Sequence, residues 1–114
     1  MDAIDTKELI DFLTRGEKAE RLEKYFREVE RKKGKVFLSN YTLLELAYLL
    51  EYGLGIDRER VTKSLRTILE DRLFKVEAKT ELEKALTLYM QGMDLLEALK
   101  EVQRERAGAR RISL

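Results

Sequence analysis

Apolar residues recur along this chain with two spacings, which divide it into alternating strands and helices. Between residues 17 and 33 they recur every three or four positions, which predicts an amphipathic helix. Short apolar runs such as Val36-Phe37-Leu38 predict strands. The predicted strands cover residues 1–5, 35–38, 73–77 and 109–114. The predicted helices cover residues 6–15, 17–33, 41–52, 57–70, 80–91 and 94–107.

Capping residues mark where several of these helices begin and end. Asp57, Thr80 and Asp94 each precede an apolar-periodic segment, where a short polar side chain can accept a hydrogen bond from the first turn. Gly34 follows the helix over 17–33 and is typical of a helix C-cap. The boundaries therefore rest on local chemistry as well as on periodicity.

The order of elements predicts one α/β domain over residues 1–114. Strands separated by helices favour a mostly parallel central sheet of about four strands, with helices on both faces in three layers. In such folds functional sites gather at the carboxyl ends of the strands. Candidate residues are therefore sought just after each predicted strand.

The composition removes several kinds of chemistry. The chain has 114 residues and contains no Cys and no His. Disulfides, thiolate nucleophiles, Ser-His-Asp triads and Cys/His zinc sites are thereby excluded. A metal would have to bind oxygen ligands, which favours Mg²⁺, Mn²⁺ or Ca²⁺. The net charge of +1 means that nucleic-acid binding would need a local basic patch.

No segment resembles a signal peptide or a membrane-spanning helix. The first residues, Met1-Asp2-Ala3-Ile4-Asp5, lack the features of a signal peptide. No apolar run approaches the roughly 20 residues that a spanning helix needs. We therefore expect a cytoplasmic protein.

Asp5 and Glu45 are the first two candidate site residues. Asp5 follows the first predicted strand, at the expected edge of a site, but it could equally cap the following helix. Glu45 lies in a predicted helix that is apolar nearly all round, where a buried carboxylate would need a partner or a metal. The alternative is that Glu45 belongs to a thin polar stripe with the tyrosines Tyr41, Tyr48 and Tyr52.

Further charged residues occur near the end of the chain. Asp94 and Glu97 open the last predicted helix on a shared face, and Glu101 continues that stripe. By themselves they fit an N-cap followed by acids that the helix dipole favours. The basic residues here could meet phosphates or form a solvated helix face; they are Lys100, Arg104, Arg106, Arg110 and Arg111.

Three segments together resemble the PIN domain, especially the single-domain VapC-type toxins of prokaryotic toxin–antitoxin pairs. The segment that begins Asp5-Thr6-Lys7 resembles the opening motif of the family. The segment from Val36 to Leu46 resembles its second strand and the helix that carries a glutamate. Met93-Asp94-Leu95-Leu96-Glu97-Ala98-Leu99 resembles its later acidic motif. The likeness spans nearly the whole chain, in order.

The resemblance implies a metal-dependent endoribonuclease with an acidic cluster. By position, Asp5, Glu45 and Glu97 would hold Mg²⁺ or Mn²⁺, and Asp94 would be an accessory acid in the catalytic set. The resemblance also implies an RNA substrate, an antitoxin protein that restrains the enzyme, and a homodimer.

Three departures from the family pattern are relevant to the predicted site. Lys7 stands where the family usually has Asn, and a cation there would compete with a metal. Glu97 is one methylene longer than the usual Asp. The family has a further Asp after its last core strand, and this sequence ends at Leu114, about where that residue is expected. We therefore expect a site short of one ligand, with weak metal binding.

Two functions follow as hypotheses, with a third from another class. The first is a metal-dependent toxin ribonuclease, and the second is a catalytically inactive PIN-like module that binds RNA or a protein partner. The third is an unrelated helical adaptor, for which the order of the acidic residues would be a coincidence.

Overall fold

Three short parallel strands form the sheet, and their carboxyl ends lie at one edge. The structure is a computed structural model that describes residues 1–114. The strands are β1 (Asp2–Ala3), β2 (Val36–Leu38) and β3 (Phe74–Val76), paired in the order β1-β2-β3. Pairing continues past the strand ends, where the Ile4 N–H donates to the Phe37 carbonyl at 3.1 Å. Because both pairings are parallel, residues that follow each strand emerge on the same side.

Six helices surround this sheet. They are α1 (Thr6–Leu13), α2 (Ala19–Arg31), α3 (Asn40–Tyr48), α4 (Arg58–Glu70), α5 (Lys79–Met90) and α6 (Leu95–Arg106). Helix α3 continues directly into one turn of π-helix, Leu49–Gly53. The predicted α/β, PIN-like architecture is thus confirmed, with a smaller sheet than expected. None of the helices combines the length and apolar character needed to cross a membrane.

The core surrounds the middle strand and includes the inward faces of all six helices. Val36 and Leu38 of β2 are fully buried, as are Leu43 and Leu46 of α3 and Leu86 of α5. Burying each such side chain stabilises the fold by roughly 1.5–3 kcal/mol. This packing fixes the position of α3, the helix that carries Glu45.

The fourth predicted strand, over residues 109–114, is not formed. All six residues are exposed, and Ile112 and Leu114 make no part of the core. The Ala109 N–H instead donates to the Arg104 carbonyl at 2.8 Å, which closes the end of α6. The prediction was wrong because a strand this short needs a neighbouring strand and a surface to cover, and this segment contacts neither.

The predicted N-cap at Thr80 was also wrong, whereas those at Asp57 and Asp94 are confirmed. Helix α5 begins at Lys79, and Ala78 precedes it in the left-handed conformation with φ of 58°. The N–H of Glu77 still bonds to β2, donating to the Leu38 carbonyl at 3.0 Å. The chain therefore turns from strand to helix within one residue, before Thr80 is reached.

Gly34 closes α2 from one position beyond the one predicted. Lys32 is the C-cap, and Lys33 adopts the left-handed conformation with φ of 57°. The Gly34 N–H donates to the Val29 carbonyl at 2.9 Å, which completes a Schellman motif. A side chain at this glycine would press on Val29, since an added Cβ would lie 3.2 Å from its Cγ1.

Candidate active site

Asp5 lies at the junction between the sheet and α1, where it caps the helix. Its backbone is extended, and its carboxylate accepts a hydrogen bond from the Thr6 N–H at 2.8 Å. The cap alternative for Asp5 therefore holds. It does not exclude the site alternative, because Asp5 also lines an open cleft and a carboxylate that accepts one hydrogen bond can accept more.

Thr6 connects Asp5 to Glu45. The residue is 5% exposed, and its hydroxyl donates to the Glu45 carboxylate across 39 positions of sequence. The same hydroxyl oxygen lies 3.4 Å from Oδ1 of Asp5. Thr6 thus holds two carboxylates from different elements, because its backbone N–H donates to Asp5 and its single hydroxyl proton is donated to Glu45.

Glu45 is on the exposed face of α3. The inward face of that helix carries Leu43, Leu46 and Ala47, which are buried. The hypothesis that Glu45 is a buried carboxylate was wrong, because α3 presents a buried face and an exposed one. Of the two alternatives for Glu45, the structure supports the stripe shared with the three tyrosines Tyr41, Tyr48 and Tyr52, which are all exposed.

Asp5 and Glu45 line one open cleft of about 530 Å³. Its lining is Asp5, Thr6, Lys7, Ile10, Asp11, Glu45 and Leu49. Asp11 has a structural partner, since its carboxylate accepts a hydrogen bond from the Lys18 N–H at the start of α2. The cleft therefore combines three carboxylates with one ammonium group.

Asp94 and Glu97 lie outside this cleft. Asp94 caps α6, with its carboxylate 3.4 Å from the Glu97 nitrogen, and lines an adjacent groove together with Glu45. Glu97 is half exposed and forms an ion pair with Lys100 at 3.2 Å. No three acidic side chains in the structure form a group that could hold a metal ion. Asp5 and Glu45 thus share the cleft, and Glu45 and Asp94 share the adjacent groove. Glu97 lies at the surface.

Three of the five late basic residues are paired with acids rather than free. Lys100 pairs with Glu97, Arg104 with Glu101 at 2.6 Å, and Arg106 with the buried Glu81. Arg110 and Arg111 are exposed beyond the end of α6. The solvated-face alternative therefore describes most of this cluster.

The groove beside the cleft is apolar and aromatic. It has a volume of about 490 Å³ and lies between α3, its π turn and α6. Its exposed members include Tyr41, Tyr48 and Tyr52, and the rings of the last two are 4.9 Å apart. Leu96 of α6 is also exposed here. From the sequence the tyrosines could be recognised only as a stripe, because the contribution of α6 depends on tertiary packing.

Glu51 and Tyr89 of the groove lining belong to a half-buried charge network that sequence reasoning missed. Glu51 accepts hydrogen bonds from Arg58 Nε at 2.8 Å and from the Tyr89 hydroxyl at 2.7 Å. Arg58 also donates to the carbonyls of Tyr89 and Met93, and its guanidinium carbon lies 4.3 Å from the centre of the Tyr89 ring. The network joins the π turn, α4 and α5.

The network changes the acidity of its members. Burial by itself would raise the pKa of Glu51, but the hydrogen bonds from Arg58 and Tyr89 outweigh it and lower that pKa below the ordinary value. Burial and the Glu51 carboxylate both raise the pKa of the Tyr89 hydroxyl. Glu51 is therefore a charged, fully partnered group in the folded state.

A comparison with known proteins identifies the family. Over 114 residues the chain is 36% identical to the VapC ribonuclease of Aquifex aeolicus (strain VF5), an alignment that covers 98% of this chain and 84% of that protein. The chain belongs to the VapC ribonuclease family. No family model matches the sequence, and no solved structure matches it. The resemblance to VapC-type toxins that the three segments carried is confirmed by this relative.

Proposed function

We propose that this chain is the ribonuclease toxin of a toxin–antitoxin pair and that it cleaves RNA phosphodiester bonds with Mg²⁺ or Mn²⁺. One observation carries the proposal: Asp5 and Glu45 line one open cleft and both accept hydrogen bonds from Thr6, Asp5 from its N–H and Glu45 from its hydroxyl. The similarity to a VapC ribonuclease supports the same activity. RNA in the cytoplasm is the proposed substrate.

The donor set fits a hard divalent cation. Mg²⁺ is usually bound by one or two carboxylates and keeps several waters, and the open cleft leaves room for both. Like charges on neighbouring carboxylates repel each other, so a cation would relieve a cost that the fold otherwise bears. The cleft offers oxygen donors and no nitrogen or sulfur ligand from a side chain other than Lys7.

We extend the proposed metal ligands to Glu97, with Asp94 as an accessory acid. Glu97 would have to leave its ion pair with Lys100, which is half exposed on both sides. Surface pairs of this kind contribute at most about 1 kcal/mol, so a change of rotamer is inexpensive. Asp94 keeps its cap, and the capped turn holds Glu97 at the start of α6.

The chain's own residues hold and orient the reacting groups. Thr6 fixes one oxygen of Glu45, while the first N–H of α1 fixes Asp5, so both carboxylates are held in place before substrate arrives. A bound divalent cation would activate water and stabilise the leaving oxygen. The cleft is open, which suits a polymeric substrate that cannot enter an enclosed cavity.

We also propose two protein partners for the aromatic groove. An exposed cluster of Tyr41, Tyr48, Tyr52 and Leu96 is typical of a protein-binding surface. An antitoxin segment bound there would lie beside Glu45 and obstruct the cleft, and a second copy of the chain would form the homodimer. Gel filtration with light scattering, with and without the antitoxin, distinguishes these two partners. If a second copy binds the groove, Tyr48→Ser should dissociate the homodimer. If the antitoxin binds the groove, Tyr48→Ser should reduce its capture.

A second candidate function is a catalytically inactive module that binds RNA or protein. It is favoured by the absence of any three acidic side chains grouped to hold a metal and by the position of Lys7 in the cleft. In this second function the chain binds RNA or a protein partner but does not cleave RNA.

One assay separates the two candidates. Purified chain is incubated with single-stranded RNA in Mg²⁺, in Mn²⁺ and in a chelator, with Glu45→Gln as the test variant. Glu105→Gln is the matched control, since Glu105 is exposed on α6 and forms no ion pair. The nuclease predicts cleavage that needs the metal and Glu45 but not Glu105. RNA binding without cleavage under every condition would favour the inactive module.

A further inference from the structure

Lys7 is the one cationic side chain in the lining of the acidic cleft. It is the second residue of α1 and is exposed. Asp5, Asp11 and Glu45 line the same cleft, so the lining carries a net charge of −2. A lysine among three carboxylates would ordinarily be expected to form an ion pair with one of them.

Lys7 forms no such pair. None of the ion pairs in the structure involves it, and its ammonium group donates no hydrogen bond to the protein. Each acid has a different, uncharged donor: a backbone N–H for Asp5 and Asp11, and the Thr6 hydroxyl for Glu45. The ammonium group is therefore left with its three donors available at the cleft.

This arrangement favours an interaction of the Lys7 ammonium group with an anion of a bound molecule over an ion pair with a carboxylate of the cleft. A counter-ion for the carboxylates would lie within ion-pair distance of at least one of them, and Lys7 does not. A strand of RNA brings a phosphate every nucleotide, and the net charge of the lining would otherwise repel it. One unpaired ammonium at the edge of the cleft supplies a local attraction.

We propose that Lys7 contacts a backbone phosphate of the RNA at this cleft. The inference rests on the proposed function, because it takes RNA as the substrate. It makes Lys7 a binding residue that positions the strand beside Asp5 and Glu45. It also gives a reason for a lysine in a place where a metal site by itself would disfavour one.

The test measures RNA affinity and its dependence on salt. Fluorescence anisotropy with a labelled single-stranded RNA is recorded in Mg²⁺ for three proteins that all carry Glu45→Gln, which prevents cleavage: the parent, Lys7→Met and Lys84→Met. Lys84 is the control because it is exposed on α5, lies outside the cleft and forms no ion pair. Melting temperatures establish that each variant is folded.

Loss of one phosphate contact has a defined signature. Lys7→Met should weaken binding severalfold and reduce the slope of log K against log salt by about 0.7, the value for one contact to a single strand. Lys84→Met should leave both quantities at the parent values, and Lys7→Arg should restore them.

The other outcomes separate this inference from the proposed function. If the parent binds RNA and Lys7→Met binds it equally well or more tightly, Lys7 does not contact phosphate, while the proposed ribonuclease stands. If the parent itself does not bind RNA, the inference is wrong, and the proposed function is decided separately by whether the wild-type chain cleaves RNA in Mg²⁺ or Mn²⁺.

Discussion

Two glutamates six residues apart, Glu45 and Glu51, have opposite surroundings. Glu45 lies on the exposed face of α3, and its one hydrogen bond comes from Thr6. Glu51 lies in the π turn that extends the same helix, with a side chain 17% exposed and bonds from both Arg58 and Tyr89. A carboxylate that is already satisfied by an arginine and a tyrosine holds the fold together, whereas one held by a single hydroxyl at an open cleft can still accept a cation.

A π turn lies between the cleft and the Glu51 network. Glu51 would follow Glu45 by less than two turns of an ordinary α-helix, about 600° of rotation at 3.6 residues per turn. The wider turn over Leu49–Gly53 shifts the last residues, and Leu54 N–H donates to the Leu49 carbonyl at 2.9 Å. Single π turns of this kind are frequent at functional sites. Here the turn carries Glu51, which bonds to α4 and α5, while Glu45 lines the cleft.

The largest expected effect is on catalysis and comes from Glu45. Glu45→Gln keeps the size of the side chain and removes its charge, so cleavage of RNA should fall by about a thousandfold, which corresponds to about 4 kcal/mol. Initial rates in Mg²⁺ measure this. The melting temperature should remain close to that of the wild type, because Glu45 is exposed. An unfolded variant would instead make Glu45 a structural residue.

The next effect is on stability and comes from Arg58. Arg58→Ala leaves Glu51 half-buried without its cation, and it removes the bonds to the carbonyls of Tyr89 and Met93. We expect a loss of about 2–3 kcal/mol, below the range for fully buried pairs because the arginine is 25% exposed. Urea unfolding measures it. Arg60→Ala, an exposed neighbour with no ion pair, should cost less than about 0.5 kcal/mol; equal costs would contradict the network.

Tyr89 should show a smaller effect of the same kind. Tyr89→Phe removes only the hydroxyl that donates to Glu51 at 2.7 Å and leaves the buried ring beneath Arg58. A hydrogen bond to a charged group contributes about 1.5–3 kcal/mol, and because Arg58 still pairs with the carboxylate we expect about 1 kcal/mol. In a double-mutant cycle with Arg58→Ala the two losses should not add. Strict additivity would mean that the contacts are independent.

The smallest effect is a dependence of stability on pH that belongs to Glu51. Its pKa is lowered in the folded state, so the folded chain holds the charged form more strongly than the unfolded chain does. The resulting stabilisation is present above the ordinary glutamate pKa, and it is lost as the pH falls through the lowered value. Urea unfolding can be followed from about pH 6 to about pH 3, a range that spans the ordinary glutamate pKa. The free energy of unfolding should fall less over this range in Glu51→Gln than in the wild type. Identical profiles would contradict the assignment.

Features set by neighbouring residues were predictable from the sequence, and features set by distant contacts were not. The Asp57 and Asp94 caps were correct, because each carboxylate bonds to a nitrogen three residues away. Strands β2 and β3 were placed within one residue at either end, since apolar runs define them. The segment 109–114 was wrong because pairing with a sheet depends on contacts that a local pattern does not contain.

The same distinction applies to the site. Asp5 was nominated from its place after a strand and Glu45 as the acid of an apolar helix, and the structure brings them together through Thr6. The role of Glu97 stays a prediction, as does that of Asp94. The Glu51 network was missed because Tyr89 lies 38 positions from Glu51 and no local motif relates them. Glu45 and Glu51 occupy similar apolar surroundings in the sequence, and only tertiary structure separates their roles.

We propose that Glu45, with Asp5, accepts a divalent cation that Glu51 does not, and thermal unfolding with Mn²⁺ distinguishes the two glutamates. A ligand that binds only the folded state at tenfold its Kd adds about 1.4 kcal/mol of stability, which raises the Tm by several degrees for a domain of this size. The account predicts that rise for the wild type and for Glu51→Gln, and its absence for Glu45→Gln. No Mn²⁺-induced rise in the wild type, or an equal rise in Glu45→Gln, would contradict it.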